Sequence, residues 1–125
     1  MGNGTRIGQV RGLGSAKHGA HHWLVQRFTA IGNLVLVLWF VFSLIMLPDY
    51  SFSTVSTWLA SPLAATAMVL MIISTFWHAR LGMQVMIEDY VHGANRFAAI
   101  VLLNLVFLAA GVFGVVSVIR IALGA

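Results

Sequence analysis

In the segment His78–Tyr90 (HARLGMQVMIEDY) an imidazole, a guanidinium, two carboxylates and a phenol stand close together. His78 offers a neutral imidazole, a metal ligand or a hydrogen-bonding group. Glu88, Asp89 and Tyr90 close the run with groups that pass or donate protons. The run starts inside an apolar stretch long enough to cross a bilayer, where ionisable groups are costly and are usually kept for a function. On a helix, His78 lies about 18 Å from Tyr90 along the axis. A ligand at depth and a proton donor at the rim is the arrangement this spacing implies.

The surrounding residues narrow the chemistry without deciding it. Gly82, four residues after His78, shares its helical face and allows either a flat macrocycle or another helix to come close. Arg80 is rotated by about 200° from His78, so it needs a different partner: another helix, a carboxylate or a lipid head. His78 can hydrogen-bond across helices, or it can ligate haem iron. A bis-histidine haem needs a second imidazole at the same depth. His18, His21, His22 and His92 all lie towards one side of the membrane, so the sixth ligand would come from another chain. His18, His21 and His22 have spacings that could put two imidazoles on a metal, or they form a polar interfacial cluster anchored by Trp23. Arg27 and Tyr90 are expected at similar depth, where a guanidinium and a phenol could clamp a quinone carbonyl.

The elements that hold these groups must be membrane helices. The chain has 125 residues, is 60% hydrophobic and only 8% charged, against about 25% charged in a soluble domain. It reads as one small all-α membrane domain, residues 1–125, without a soluble catalytic unit. It has no cysteine, which excludes disulfides and cysteine-held iron–sulfur clusters within the chain. Three apolar runs predict spans at about 27–47, 62–87 and 95–123, each with the roughly 20 residues a bilayer requires. Ser61-Pro62 is a helix start, and Pro48-Asp49 a stop. Tyr50–Ala60 alternates polar and apolar groups and is expected along the outer interface, with Tyr50 and Trp58 as anchors.

Charge sets the expected orientation. Arg6, Arg11 and Lys17 lie in the first 17 residues, Arg27 follows, and the first loop holds no Lys or Arg. Excess positive charge marks the inner side, so segment 1–26 and the loop from Glu88 to Arg96 are expected in the cytoplasm. Residues 1–27 lack the apolar region of a signal peptide. The net charge of +4 bears on topology; nucleic acid is not an expected partner.

Two segments carry a family resemblance. One is His78-x-x-x-Gly82 with Gln84-Val85 and Asp89-Tyr90-Val91-His92-Gly93. The other is Gly19-Ala20-His21-His22-Trp23 leading to Arg27-x-Thr29-Ala30. With the three-span plan, the chain resembles the hydrophobic membrane-anchor subunits, D-subunit type, of succinate dehydrogenase (respiratory complex II). The resemblance implies that His78 is an axial ligand of haem b, the only metal role in the chain, opposite a ligand from the cytochrome b subunit. It implies that Tyr90 hydrogen-bonds ubiquinone, that Asp89 supports that site, and that Arg27 lies near the haem propionates and the quinone pocket. It implies flavoprotein and iron–sulfur partner subunits, no catalytic residue in this chain alone, and residence in the bacterial inner membrane. The alternatives are the anchor of a quinol:fumarate reductase, a small transporter with a proton path through Arg80, Glu88 and Asp89, or a structural assembly factor.

Overall fold

The computed structural model describes residues 18–124; the basic residues Arg6, Arg11 and Lys17 lie outside them. Four helices follow in order: α1 (Gly19–Met46), α2 (Phe52–Leu59), α3 (Pro62–Tyr90) and α4 (Ala94–Ala122). Among the described residues there is no strand. α1, α3 and α4 have 28, 29 and 29 residues, and their length and apolar composition make this an integral membrane protein of three spans.

Local sequence explains the helix ends. Pro48 disfavours helical backbone at the preceding residue, and Leu47 is extended. Ser51 caps α2 by accepting a hydrogen bond from the Thr54 backbone N–H at 3.3 Å. Asp49 accepts from the Ser51 backbone N–H at 2.9 Å. The hydrogen bonds from Ser51, and then Thr54, hold the Asp49 carboxyl below its ordinary value. Pro62 occupies the first turn of α3, where its missing N–H costs nothing. Between α3 and α4 only Val91–Gly93 intervene, and Gly93 takes φ +68° with ψ −149°, a region open essentially to glycine alone.

α1 differs most from expectation. It starts at Gly19, eight residues before Arg27, so His21, His22 and Trp23 are helical rather than a leading segment. Hydropathy marks where the lipid core begins, and nothing in Gly19–Gln26 breaks a helix there. Tyr50–Ala60 also holds a real helix, α2. Its Trp58 stacks on Trp39 with ring centroids 5.8 Å apart and lies 6.3 Å from Phe40. Tyr50 is exposed and donates to the Leu44 carbonyl at 3.0 Å.

α3 is the middle of the layer. α1 packs against one side and α4 against the other, and among the described residues the backbones of α1 and α4 do not approach each other. The α3–α4 seam is apolar and close. Phe76 meets Phe107 edge-on at 5.9 Å. A Cβ on Gly114 would lie 3.3 Å from Ile72 Cγ2, so the bare glycine sets the separation. Very little is buried within one layer. Leu59, Ala64, Leu81, Leu103 and Val118 are the buried apolar residues among those described, and Thr29 the one buried polar residue. Most large apolar side chains are exposed, as a membrane protein's are to lipid or to a neighbouring subunit.

Candidate functional site

The α1–α3 seam is polar. Thr29 Oγ1 lies 3.1 Å from His78 Nδ1. The same oxygen is 2.9 Å from the Val25 carbonyl and 3.0 Å from the Gln26 carbonyl. Ser74 Oγ donates to the Thr29 carbonyl at 3.3 Å, and Thr75 Oγ1 to Asn33 Oδ1 at 3.4 Å. Gln26 faces Gly82: its Nε2 would be 3.8 Å from a Cβ there. Gln26 Oε1 is buried without a hydrogen-bond partner among the described residues. Residues 26, 29 and 33 therefore form one stripe at helical spacing. Thr29 is 7% exposed, whereas His78 is half-buried with Nδ1 engaged. No partner for Nε2 occurs among the described residues.

These pairs fix the antiparallel register. Thr29 is level with His78, and Gln26 with Gly82. Continued residue by residue, the register sets Arg27 level with Arg80–Leu81 and Tyr90 level with His18. Arg27 and Tyr90 are thus about 14 Å apart in depth. The expected direct clamp between them is not formed, because α1 begins two turns earlier than hydropathy implies. Arg27 instead lays its guanidinium over the Trp23 ring, 4.7 Å from the centroid. It lies about 3 Å in depth from Thr29, close to His78. Tyr90 is 82% exposed at the end of α3, and Asp89 beside it is also exposed. Glu88 is half-buried and accepts from Gln84 Nε2 at 2.9 Å.

The opposite side of α3 holds Arg80. Its Nη1 donates to Asn104 Oδ1 on α4. Its guanidinium sits 5.0 Å from the centroid of the Trp77 ring. Asn104 is fixed in turn by donating from Nδ2 to the Ile100 carbonyl at 2.8 Å. Arg80, Trp77, Phe76, Asn104 and Phe107 line a cleft of about 600 Å³ between α3 and α4. The 200° between His78 and Arg80 thus appears as two seams on one helix. Among the described residues, no three His, Cys, Asp or Glu side chains gather as a metal site. A metal at His78 therefore needs ligands from elsewhere.

The family model of the succinate dehydrogenase/fumarate reductase transmembrane subunit matches residues 1–113. The chain belongs to this family. Curated relatives carry matching names. The succinate dehydrogenase hydrophobic membrane anchor subunit of Rickettsia bellii is 32% identical over 115 residues, 92% of this chain and 87% of that protein. The corresponding subunit of Rickettsia conorii is 33% identical over 88 residues, 70% of each chain. The succinate dehydrogenase membrane anchor subunit of Reclinomonas americana is 36% identical over 94 residues, 72% of this chain and 78% of that protein. With its three spans, the chain is a membrane-anchor subunit of the succinate dehydrogenase type.

For such an anchor, reading the sequence for ionisable groups finds His78, Asp89 and Tyr90 but passes over Gln26, Asn33 and the function of Thr29. The signal was present: three polar residues spaced by three and four in an otherwise apolar span. Neutral hydroxyls and amides carry little weight beside charged groups, although in lipid they direct which helices meet.

Proposed function

We propose that this anchor holds the catalytic subunits of a succinate:ubiquinone oxidoreductase at the bacterial inner membrane. It gives His78 as one axial ligand of a haem b shared with a cytochrome b subunit. Tyr90 serves a ubiquinone site at the cytoplasmic rim. The segment before α1 and the α3–α4 turn face the cytoplasm, in accord with Arg6, Arg11, Lys17 and Arg27 on that side and Arg96 after the turn, against no Lys or Arg in the first loop, and the flavoprotein and iron–sulfur subunits dock there.

The carrying observation is the state of His78: half-buried, Nδ1 engaged, and Nε2 unpartnered among the described residues. A histidine present only to join helices would be satisfied by the Thr29 contact and hidden. This one keeps a ring nitrogen for a ligand, on a chain one helix thick. Three further features suit a haem at this position. Gly82 adds no side chain beside His78, and only Gln26 Nε2 comes within 4 Å of where a Cβ would stand. Gln26 Oε1 is a buried acceptor without a donor among the described residues. Arg27 is a cation at nearly the depth of His78, suited to a propionate.

Haem b, when bound, supplies a one-electron carrier within the membrane. The rest is done by the chain's own residues. His78 offers the Nε2 lone pair, Arg27 holds negative charge, and Gly82 makes room. At the rim, Tyr90 Oη donates a hydrogen bond to a quinone carbonyl, and Asp89 accepts and returns protons beside it. The exposure of Tyr90 fits a pocket whose other walls belong to partner subunits. The names of the relatives favour succinate oxidation over fumarate reduction. Family membership favours an anchor over an independent proton path.

In the assembled complex, His78→Ala is expected to abolish the haem b absorbance. Tyr90→Phe keeps haem and assembly but lowers succinate:ubiquinone turnover by about tenfold or more, the equivalent of one lost hydrogen bond to a reacting group. Full haem in the first variant refutes the ligand assignment, and full turnover in the second refutes the quinone assignment.

A further inference from the structure

We infer that Thr29 is the positioning residue for His78: its hydroxyl accepts the Nδ1–H, fixes the tautomer that leaves Nε2 its lone pair, and so sets how strongly the imidazole ligates haem iron. The inference rests on the reading of His78 as a haem ligand and goes beyond it by naming what orients the ring.

The geometry is specific. A threonine hydroxyl has one proton and two lone pairs. Thr29 Oγ1 has three neighbours: the Val25 carbonyl at 2.9 Å, the Gln26 carbonyl at 3.0 Å and His78 Nδ1 at 3.1 Å. The two carbonyls can only accept, and they are the nearer pair. The hydroxyl proton goes to them, as is usual for threonine within a helix. A lone pair is then left facing Nδ1, and Nδ1 must carry the proton. In a neutral imidazole that leaves Nε2 unprotonated, the form a metal needs.

The hydroxyl is itself held in place. Thr29 is the one buried polar residue among those described. Ser74, one turn before His78 on α3, donates to the Thr29 carbonyl at 3.3 Å. Gly32 lies beside the same contact: a Cβ there would stand 3.4 Å from that Ser74 oxygen. α3 therefore grips Thr29 at two points, backbone and side chain, four residues apart on the same face as the ligand. Such outer hydrogen bonds raise the basicity of a ligating histidine and lock its ring plane.

The test uses the assembled complex with Thr29→Val, Thr29→Ser, Ser74→Ala and His78→Ala. Haem transfer to added apomyoglobin measures retention, and an optical redox titration of the haem α band measures the potential. Thr29→Val keeps the shape of the seam and removes the acceptor. It should weaken haem retention by about 10–100-fold and shift the midpoint potential upward, because a less basic imidazole stabilises ferric iron less. Thr29→Ser restores the oxygen and should restore both values. Ser74→Ala releases only the backbone grip and should shift both in the direction of Thr29→Val, by less. Thr29→Val with wild-type retention and potential overturns the inference. If Thr29→Val does not assemble, an unchanged Ser74→Ala overturns it. His78→Ala that keeps its haem overturns the underlying ligand reading instead, whatever Thr29→Val does.

Discussion

Gly82 separates the cost of folding from the cost of losing a cofactor. It follows His78 by four residues, about 6 Å along α3 and roughly 40° around it. A Cβ built there meets only Gln26 Nε2, at 3.8 Å, an ordinary van der Waals contact. Within the chain, Gly82→Ala therefore adds no clash. A helix interior prefers alanine to glycine by about 0.5–1 kcal/mol, so the variant should melt no lower than wild type. Leucine at 82 is different. Its side chain covers the face beside His78, where a flat macrocycle must approach to about 3.5–4.0 Å for contact. Gly82→Leu is expected to assemble with clearly reduced haem per complex, and Gly82→Ala to stay between it and wild type. The assay is the haem-to-protein ratio of purified complex beside its thermal melt. Gly82→Leu with full haem and an unchanged spectrum would refute the idea that a planar group uses this face. A lower melt for Gly82→Ala at equal haem content would refute the packing argument.

Two further outcomes follow from the described contacts. Gly93→Ala forces a side chain onto φ +68°, ψ −149° and should lower stability by about 1–3 kcal/mol, read as an earlier thermal melt of the complex with haem unchanged before melting. At the α3–α4 seam, Asn104→Ala should destabilise more than Arg80→Ala. The first strands a guanidinium in lipid without its acceptor, at about 1–3 kcal/mol. The second also removes a charge whose presence in the membrane costs about 2.5–3.5 kcal/mol. A double-mutant cycle on the melting free energies checks this, and a more harmful Arg80→Ala would refute it.

The three spans were legible because lipid permits only helices and each run has the length. Ser61-Pro62 and Pro48-Asp49 marked a start and a stop by backbone chemistry. The start of α1 was not legible, because hydropathy reports the lipid boundary and not where helical hydrogen bonding begins. That error put Arg27 beside Tyr90. The register set by Thr29–His78 moves it down to the level of the histidine. α2 was hidden by its alternating pattern, yet Ser51 is a preferred N-cap residue and argues for a helix start there. His78 and Tyr90 stood out by residue type. Thr29 did not, because its role exists only once α1 and α3 are paired. The second face of α3, with Arg80 against Asn104, followed from angular spacing; the identity of the partner did not.

α3 pairs with α1 along one side and with α4 along the other, while among the described residues the backbones of α1 and α4 do not approach each other. α3 is therefore the common wall of two chemically different seams, a polar one that holds His78 against Thr29 and an apolar one that holds Arg80 against Asn104. Whatever displaces α3 as a body is felt at both seams together.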